Sequence, residues 1–128
     1  MKILKALAVV LVLAATFVVG VITTVFRGWG DRAVTAEVVN NLDQPIRSFT
    51  VRYDTCGAKG EITVSQLQPG TSRTVRFRVC GEGDALVEAT LADGTVMRGP
   101  ELYVESGYST TSSINKNGIA STQRMYAL

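Results

Sequence analysis

The chain contains no histidine. That removes Ser-His-Asp and Cys-His nucleophilic arrangements, histidine-ligated zinc and a histidine-based pH switch. Cysteine is scarce, at two residues, and the two do not form a Cys-x-x-Cys redox pair. Aromatic residues make up only 7% of the chain, with a single tryptophan. No long block of like charge marks an interaction tail. Charge of either sign is missing from Ala6 to Phe26. From Arg27 onward eleven basic residues meet eleven acidic ones. A formally neutral domain has no overall basic field for nucleic acid, so no nucleic-acid partner is expected.

The uncharged stretch reads ALAVVLVLAATFVVGVITTVF. At about 1.5 Å per residue it spans roughly 31 Å as a helix, close to the hydrocarbon thickness of a bilayer. A secretory signal peptide is the competing reading, but its apolar region is shorter and ends at small residues. The run therefore predicts a retained single-pass anchor over 1–26, with residues 6–26 in the lipid. Lys2 and Lys5 favour a cytoplasmic N-terminus, which Arg27 and Arg32 oppose and Asp31 partly restores. Trp29 suits the headgroup region just beyond. Thr16, Gly20 and Thr24 recur every four residues and form a small-residue stripe, a candidate face for helix pairing and a homo-oligomer. The same stripe equally suits a face that only touches lipid.

After a juxtamembrane linker over 27–32, the period changes to two. Val34, Ala36 and Val38 alternate with polar neighbours. So do Phe49, Val51 and Tyr53, then Ile62 and Val64, then Val75, Phe77 and Val79, then Val87, Ala89 and Leu91. Turn signals separate the runs: Asn40 to Pro45, a turn bracketed by Gly57 and Gly60, Pro69-Gly70 and Asp93-Gly94. Short strands follow at Leu102–Glu105 and Tyr108–Asn115. Seven or eight strands without an amphipathic helix predict an all-β, small antiparallel β-sandwich over 33–119. A weakly patterned tail, expected to be loose, follows over 120–128.

Cys56 and Cys80 each close a strand-like run and each precede a glycine. One disulfide between them is expected, in a domain outside the cytoplasm. The stretch from Leu67 through Pro69-Gly70 to Val75, Phe77 and Val79 resembles one found in immunoglobulin-like and fibronectin type III-like domains. The resemblance covers about a third of the domain. It implies an architecture and no ligand, because such folds host many functions.

Two clusters stand out as candidate sites. Arg73, Arg76 and Arg78, with Arg52 on a neighbouring strand, form a candidate basic face for an anionic partner. The alternative is a solvated face with Glu37, Glu61 or Glu88 paired across strands. Asp54, Glu82 and Asp84 are a candidate calcium site brought together by the disulfide, although six or more oxygens are required. The exposed, polar run from Ser106 to Ser113 suits either an ordinary edge strand or loop, or addition of a partner's strand. Gly81-Glu82-Gly83 lies between strands, not before a helix, so no phosphate cradle and no cofactor are expected.

No catalytic constellation emerges, so the sequence predicts a non-enzymatic module. The leading expectation is an extracytoplasmic, periplasmic interaction domain partnered by another membrane or envelope protein. The alternatives are an inhibitor or immunity-type protein against a periplasmic toxin or hydrolase, and a glycan- or calcium-binding module.

Overall fold

The computed structural model describes residues 2–26 and 33–125, and within the helix the side chains of residues 9–23. The chain divides into two compact units, Met1–Asp31 and Arg32–Leu128.

The first unit holds one helix, α1 (Lys2–Phe26). Its described side chains are exposed and apolar all round. Thr16 and Thr23 donate their hydroxyls to the carbonyls of Val12 and Val19, both at 2.8 Å, so neither is left unpaired on an apolar helix. Among the described residues no helix is long and apolar enough to cross a membrane. The described side chains cover only the middle of the run over 6–26. Thr16 and Gly20 stand one turn apart on it. The Thr24 side chain lies outside the described residues, as do Trp29 and the linker over 27–32.

The second unit is all β. Its strands are β1 (Ala33–Asn40), β2 (Ile46–Thr55), β3 (Ala58–Leu67), β4 (Ser72–Arg78), β5 (Gly83–Leu91), β6 (Val96–Arg98), β7 (Leu102–Val104), β8 (Tyr108–Asn115) and β9 (Gly118–Met125). They form two sheets. The first sheet has the order β4-β1-β8-β9, and the second β3-β2-β5-β6, with β7 also on β5.

The period-two residues build the core. Val34, Ala36, Val38, Phe49, Val51, Val75, Phe77, Val79, Val87, Ala89 and Leu91 are all buried in one cluster drawn from both sheets. Tyr53 of β2 stacks on Phe77 of β4 with ring centroids 4.4 Å apart, an aromatic contact between the sheets.

Three expectations need correcting. The sandwich is not purely antiparallel, because β1 runs parallel to β8. A tight hairpin would force the antiparallel direction, and no hairpin joins two strands so far apart in sequence. Residues 120–125, expected as a loose tail, form most of β9, which pairs with β8 from Gly118 to Met125. Ser106 to Ser113 is no edge for strand addition, because β8 lies between β1 and β9.

Gly60 is also not a turn residue. The turn is tighter: Cys56 and Gly57 both take positive φ, at 52° and 73°, and β3 starts at Ala58. Gly60 sits inside β3 opposite Tyr53. A Cβ there would collide with the Tyr53 ring. Gly60→Ala is therefore expected to displace that ring from Phe77 and cost about 1–3 kcal/mol. Urea unfolding of the variant would measure the cost. A loss under a few tenths would show that the ring moves freely.

Candidate functional site

Alternation puts one side of each sheet in the core and the other in solvent, and strand register then decides which charges meet. On the outward face of the second sheet, Arg52 of β2 lies opposite Glu61 of β3, and Glu88 of β5 opposite Arg98 of β6. Arg52 contacts Glu61 at 3.6 Å and Glu88 at 3.2 Å. Arg98 contacts Glu88 at 3.9 Å and Glu101 at 3.4 Å. Thr50 and Thr63 share a hydroxyl hydrogen bond beside them at 2.8 Å. The arginines here are thus matched by carboxylates from neighbouring strands.

Glu88 serves two arginines and is the least exposed member of this ladder, with 18% of its side chain accessible. Glu88→Gln is expected to cost about 0.5–1 kcal/mol at low salt and less at high salt. Denaturant titrations at two ionic strengths would check this.

One row further along, Lys59, Asp54, Asp84 and Tyr103 line up across β3, β2, β5 and β7. Lys59 reaches Asp54 at 3.8 Å, whereas Asp54 and Asp84 are directly opposite like charges. Between the two rows lies a shallow groove of about 660 Å³, floored by Ala85 and Leu86 and rimmed by Arg52, Asp54, Lys59, Glu61, Asp84 and Glu101. Carboxylates predominate at this rim.

The proposed calcium trio does not assemble. Among the described residues no three histidine, cysteine, aspartate or glutamate side chains come together to hold a metal ion. Glu82 turns up beside Tyr103 instead. The Tyr103 hydroxyl donates to Glu105 Oε2 at 2.7 Å. That bond, then desolvation and the charges of Glu105 and Glu82, hold the phenol far above its ordinary range. Tyr103 also meets Tyr108 edge to face, with centroids 5.8 Å apart.

The basic face is rearranged as well. Arg52 belongs to the second sheet, and Arg73, Arg76 and Arg78 to β4 of the first. Arg73 shares its side of the strand with the buried Val75 and Phe77, so it leaves β4 on the side opposite Arg76 and Arg78. The first sheet's outward face gains a different arginine. Arg76 lies opposite Thr35, Thr35 opposite Ser109, and Ser109 opposite Arg124. In the adjacent row Thr74, Glu37, Thr111 and Thr122 follow the same order. Sequence reasoning missed Arg124 by assigning it to a loose tail. Asn117-Gly118 followed by an unbroken run to Met125 was the hairpin signal that would have found it.

No family model matches the chain, and no curated protein matches it. Among solved structures it is similar to the NMR structure of a protein from Eubacterium rectale. The TM-score is 0.51 at 16% identity, over 77% of this chain and 95% of that one. A chain described as a trapped toxin aligns with a TM-score of 0.39 at 10% identity, over 73% of this chain and 24% of that one. The first of these is a likeness of fold.

Proposed function

We propose that the protein is a membrane-anchored, non-enzymatic interaction module, with its β-domain outside the cytoplasm as an accessory subunit of a membrane assembly. The observation that carries this reading is the sorting of charge by sheet. The domain's charges balance in sequence. In the fold, carboxylates predominate around the second sheet's groove, while three arginines stand against one glutamate on the first sheet's outward face. A domain with two solvent faces of opposite sign can steer and orient two different surfaces.

The anchor and the address have their own support. α1 runs unbroken from Lys2 to Phe26 and carries no charge beyond Lys5. A helix that is apolar all round requires apolar surroundings, and a bilayer supplies them. The Cys56–Cys80 disulfide suits an oxidising compartment such as the periplasm. With Lys2 and Lys5 inside, the β-domain faces that compartment. Immunoglobulin-like or fibronectin type III-like is the finer architectural reading of the two sheets. Thr16 and Gly20 offer a face on which two helices can pair.

The test is crosslinking in native membranes followed by purification in mild detergent. Recovery of a second membrane or envelope protein, reduced by reversing charge at the groove (Asp54→Lys/Asp84→Lys), is expected. Recovery of the monomer alone in both experiments would sink the proposal.

A further inference from the structure

We propose that the outward face of the first sheet binds an anionic polysaccharide. Three features of that face converge on this chemistry.

The first is an excess of positive charge. Arg76, Arg78 and Arg124 face outward on the same side as Glu37. Among the described residues Arg78 and Arg124 make no ion pair. The contrast lies within one domain, because Arg52 and Arg98 on the other sheet are each tied to two glutamates. A guanidinium fork suits bidentate contact with a carboxylate or phosphate.

The second is a field of hydroxyls between the arginines. Thr35, Thr74, Ser109, Thr111, Ser113 and Thr122 share the outward side of four adjacent strands. Arg76 and Arg124 close the Thr35-Ser109 row from β4 and β9, the two edges of the sheet, roughly 14 Å apart at about 4.8 Å per strand. A hydroxyl both donates and accepts, as a sugar's hydroxyls require. The row therefore offers cation, hydroxyl, hydroxyl, cation to an extended ligand lying across the strands.

The third is the lack of an apolar anchor. The large exposed apolar side chains described in the β-domain are Val96, Tyr103 and Met125. Val96 and Tyr103 belong to the second sheet, and Met125 leaves β9 on the side opposite Arg124. A protein partner's tight contact centres on aromatic or apolar anchors, and single-stranded nucleic acid requires aromatic stacking platforms. A hydroxyl-rich anionic chain needs neither. The inference rests on the interaction-module reading only for the compartment in which the face is displayed.

The experiment uses the full-length protein in a neutral detergent, with polygalacturonate as the probe. Binding that weakens with salt is expected, with affinity reduced about tenfold or more in Arg78→Gln/Arg124→Gln. Thr111→Val should reduce it a few-fold, and Arg47→Gln, which removes one positive charge from the second sheet, should leave it unchanged. An unaltered melting temperature shows that each variant is folded. The proposal is overturned if neutral dextran binds equally well, or if the arginine double variant binds like wild type. It is also overturned if polyglutamate or phosphatidylglycerol vesicles bind more tightly than polygalacturonate, which would assign the face to an acidic protein or to lipid headgroups. None of these results depends on recovering a protein partner, so failure here and failure of the crosslinking experiment are separate outcomes.

Discussion

Replacing Cys56 and Cys80 together with serine is expected to lower the melting temperature of the β-domain by on the order of 15 °C. The bridge joins residues 24 apart in sequence, with Cα atoms 6.1 Å apart. In the chain-entropy model, closing a loop of that size removes about 3 kcal/mol of unfolded-state freedom. For a domain of this length each kcal/mol moves the midpoint by several degrees. Position adds to the effect. Cys56 lies in the turn between β2 and β3 of the second sheet, and Cys80 just beyond β4 of the first, so the bridge staples the two sheets at one end. Thermal unfolding with and without reductant, beside the double serine variant, measures the contribution. A shift under about 3 °C would mean that packing alone holds that end. Alkylation of the protein in intact cells tests the address separately: free thiols before reduction would place the domain in a reducing compartment.

The disulfide was legible because cysteine pairing leaves a plain sequence signature: two residues, equivalent strand ends, no competing partner. The core was legible for a related reason. Period-two burial depends only on which way a side chain leaves the strand, and Val34, Val38, Phe49, Val51 and Phe77 are each nearly inaccessible. Two turns were legible through residues that take positive φ cheaply. Gly70 and Gly94 do so at 69° and 88°, and Asp93 accepts the Thr95 amide at 2.8 Å to close the second. That bond holds the Asp93 carboxyl below the usual carboxylate range.

The candidate faces were much less legible, because alternation says nothing about neighbours. It assigns Arg52 and Arg76 to solvent, but only strand order reveals that they occupy different sheets. It gives Glu61 and Glu88 no address until register brings them to Arg52. The parallel pairing of β1 with β8 joins segments more than sixty residues apart, and it carries Ser109 and then Arg124 beside Thr35. Global neutrality spoke only against an overall basic field and does not say where charge lies; charges that cancel along the chain are distributed unequally between the sheets. The Cys56-Gly57 turn was missed because both positions need positive φ and cysteine is not a residue that advertises it.

Asn40 shows the same limit in one residue, and substituting it is the second change with a large expected effect. In sequence it reads as a turn residue beside Asn41. In the fold it ends β1 with no exposed surface. Its Nδ2 donates to the carbonyls of Leu67 at 2.9 Å and Gln44 at 3.0 Å, and its Oδ1 accepts the Leu42 amide at 2.9 Å. Its backbone N–H donates to Thr71 O at 2.9 Å, and its own carbonyl accepts from Gly70 at 2.8 Å. The side chain thus ties the first sheet to the last residue of β3, where the chain crosses from one sheet to the other. The disulfide closes the opposite end of β3, so amide and bridge clamp the sandwich at its two ends. Asn40→Ala leaves two carbonyls and an amide without their partner and is expected to cost about 2–4 kcal/mol. Asn40→Asp is expected to cost more at neutral pH, because a carboxylate would face two carbonyl oxygens. Burial and those carbonyls would raise its folded pKa above the unfolded value near 3.9. The folded state would then hold the extra proton, so the variant's deficit relative to wild type should shrink as pH falls from 7 toward 4.5. Denaturant unfolding of wild type and both variants at the two pH values decides it. An Asp variant as stable as wild type at pH 7, or a deficit independent of pH, would show that the amide is not the clamp its three bonds describe.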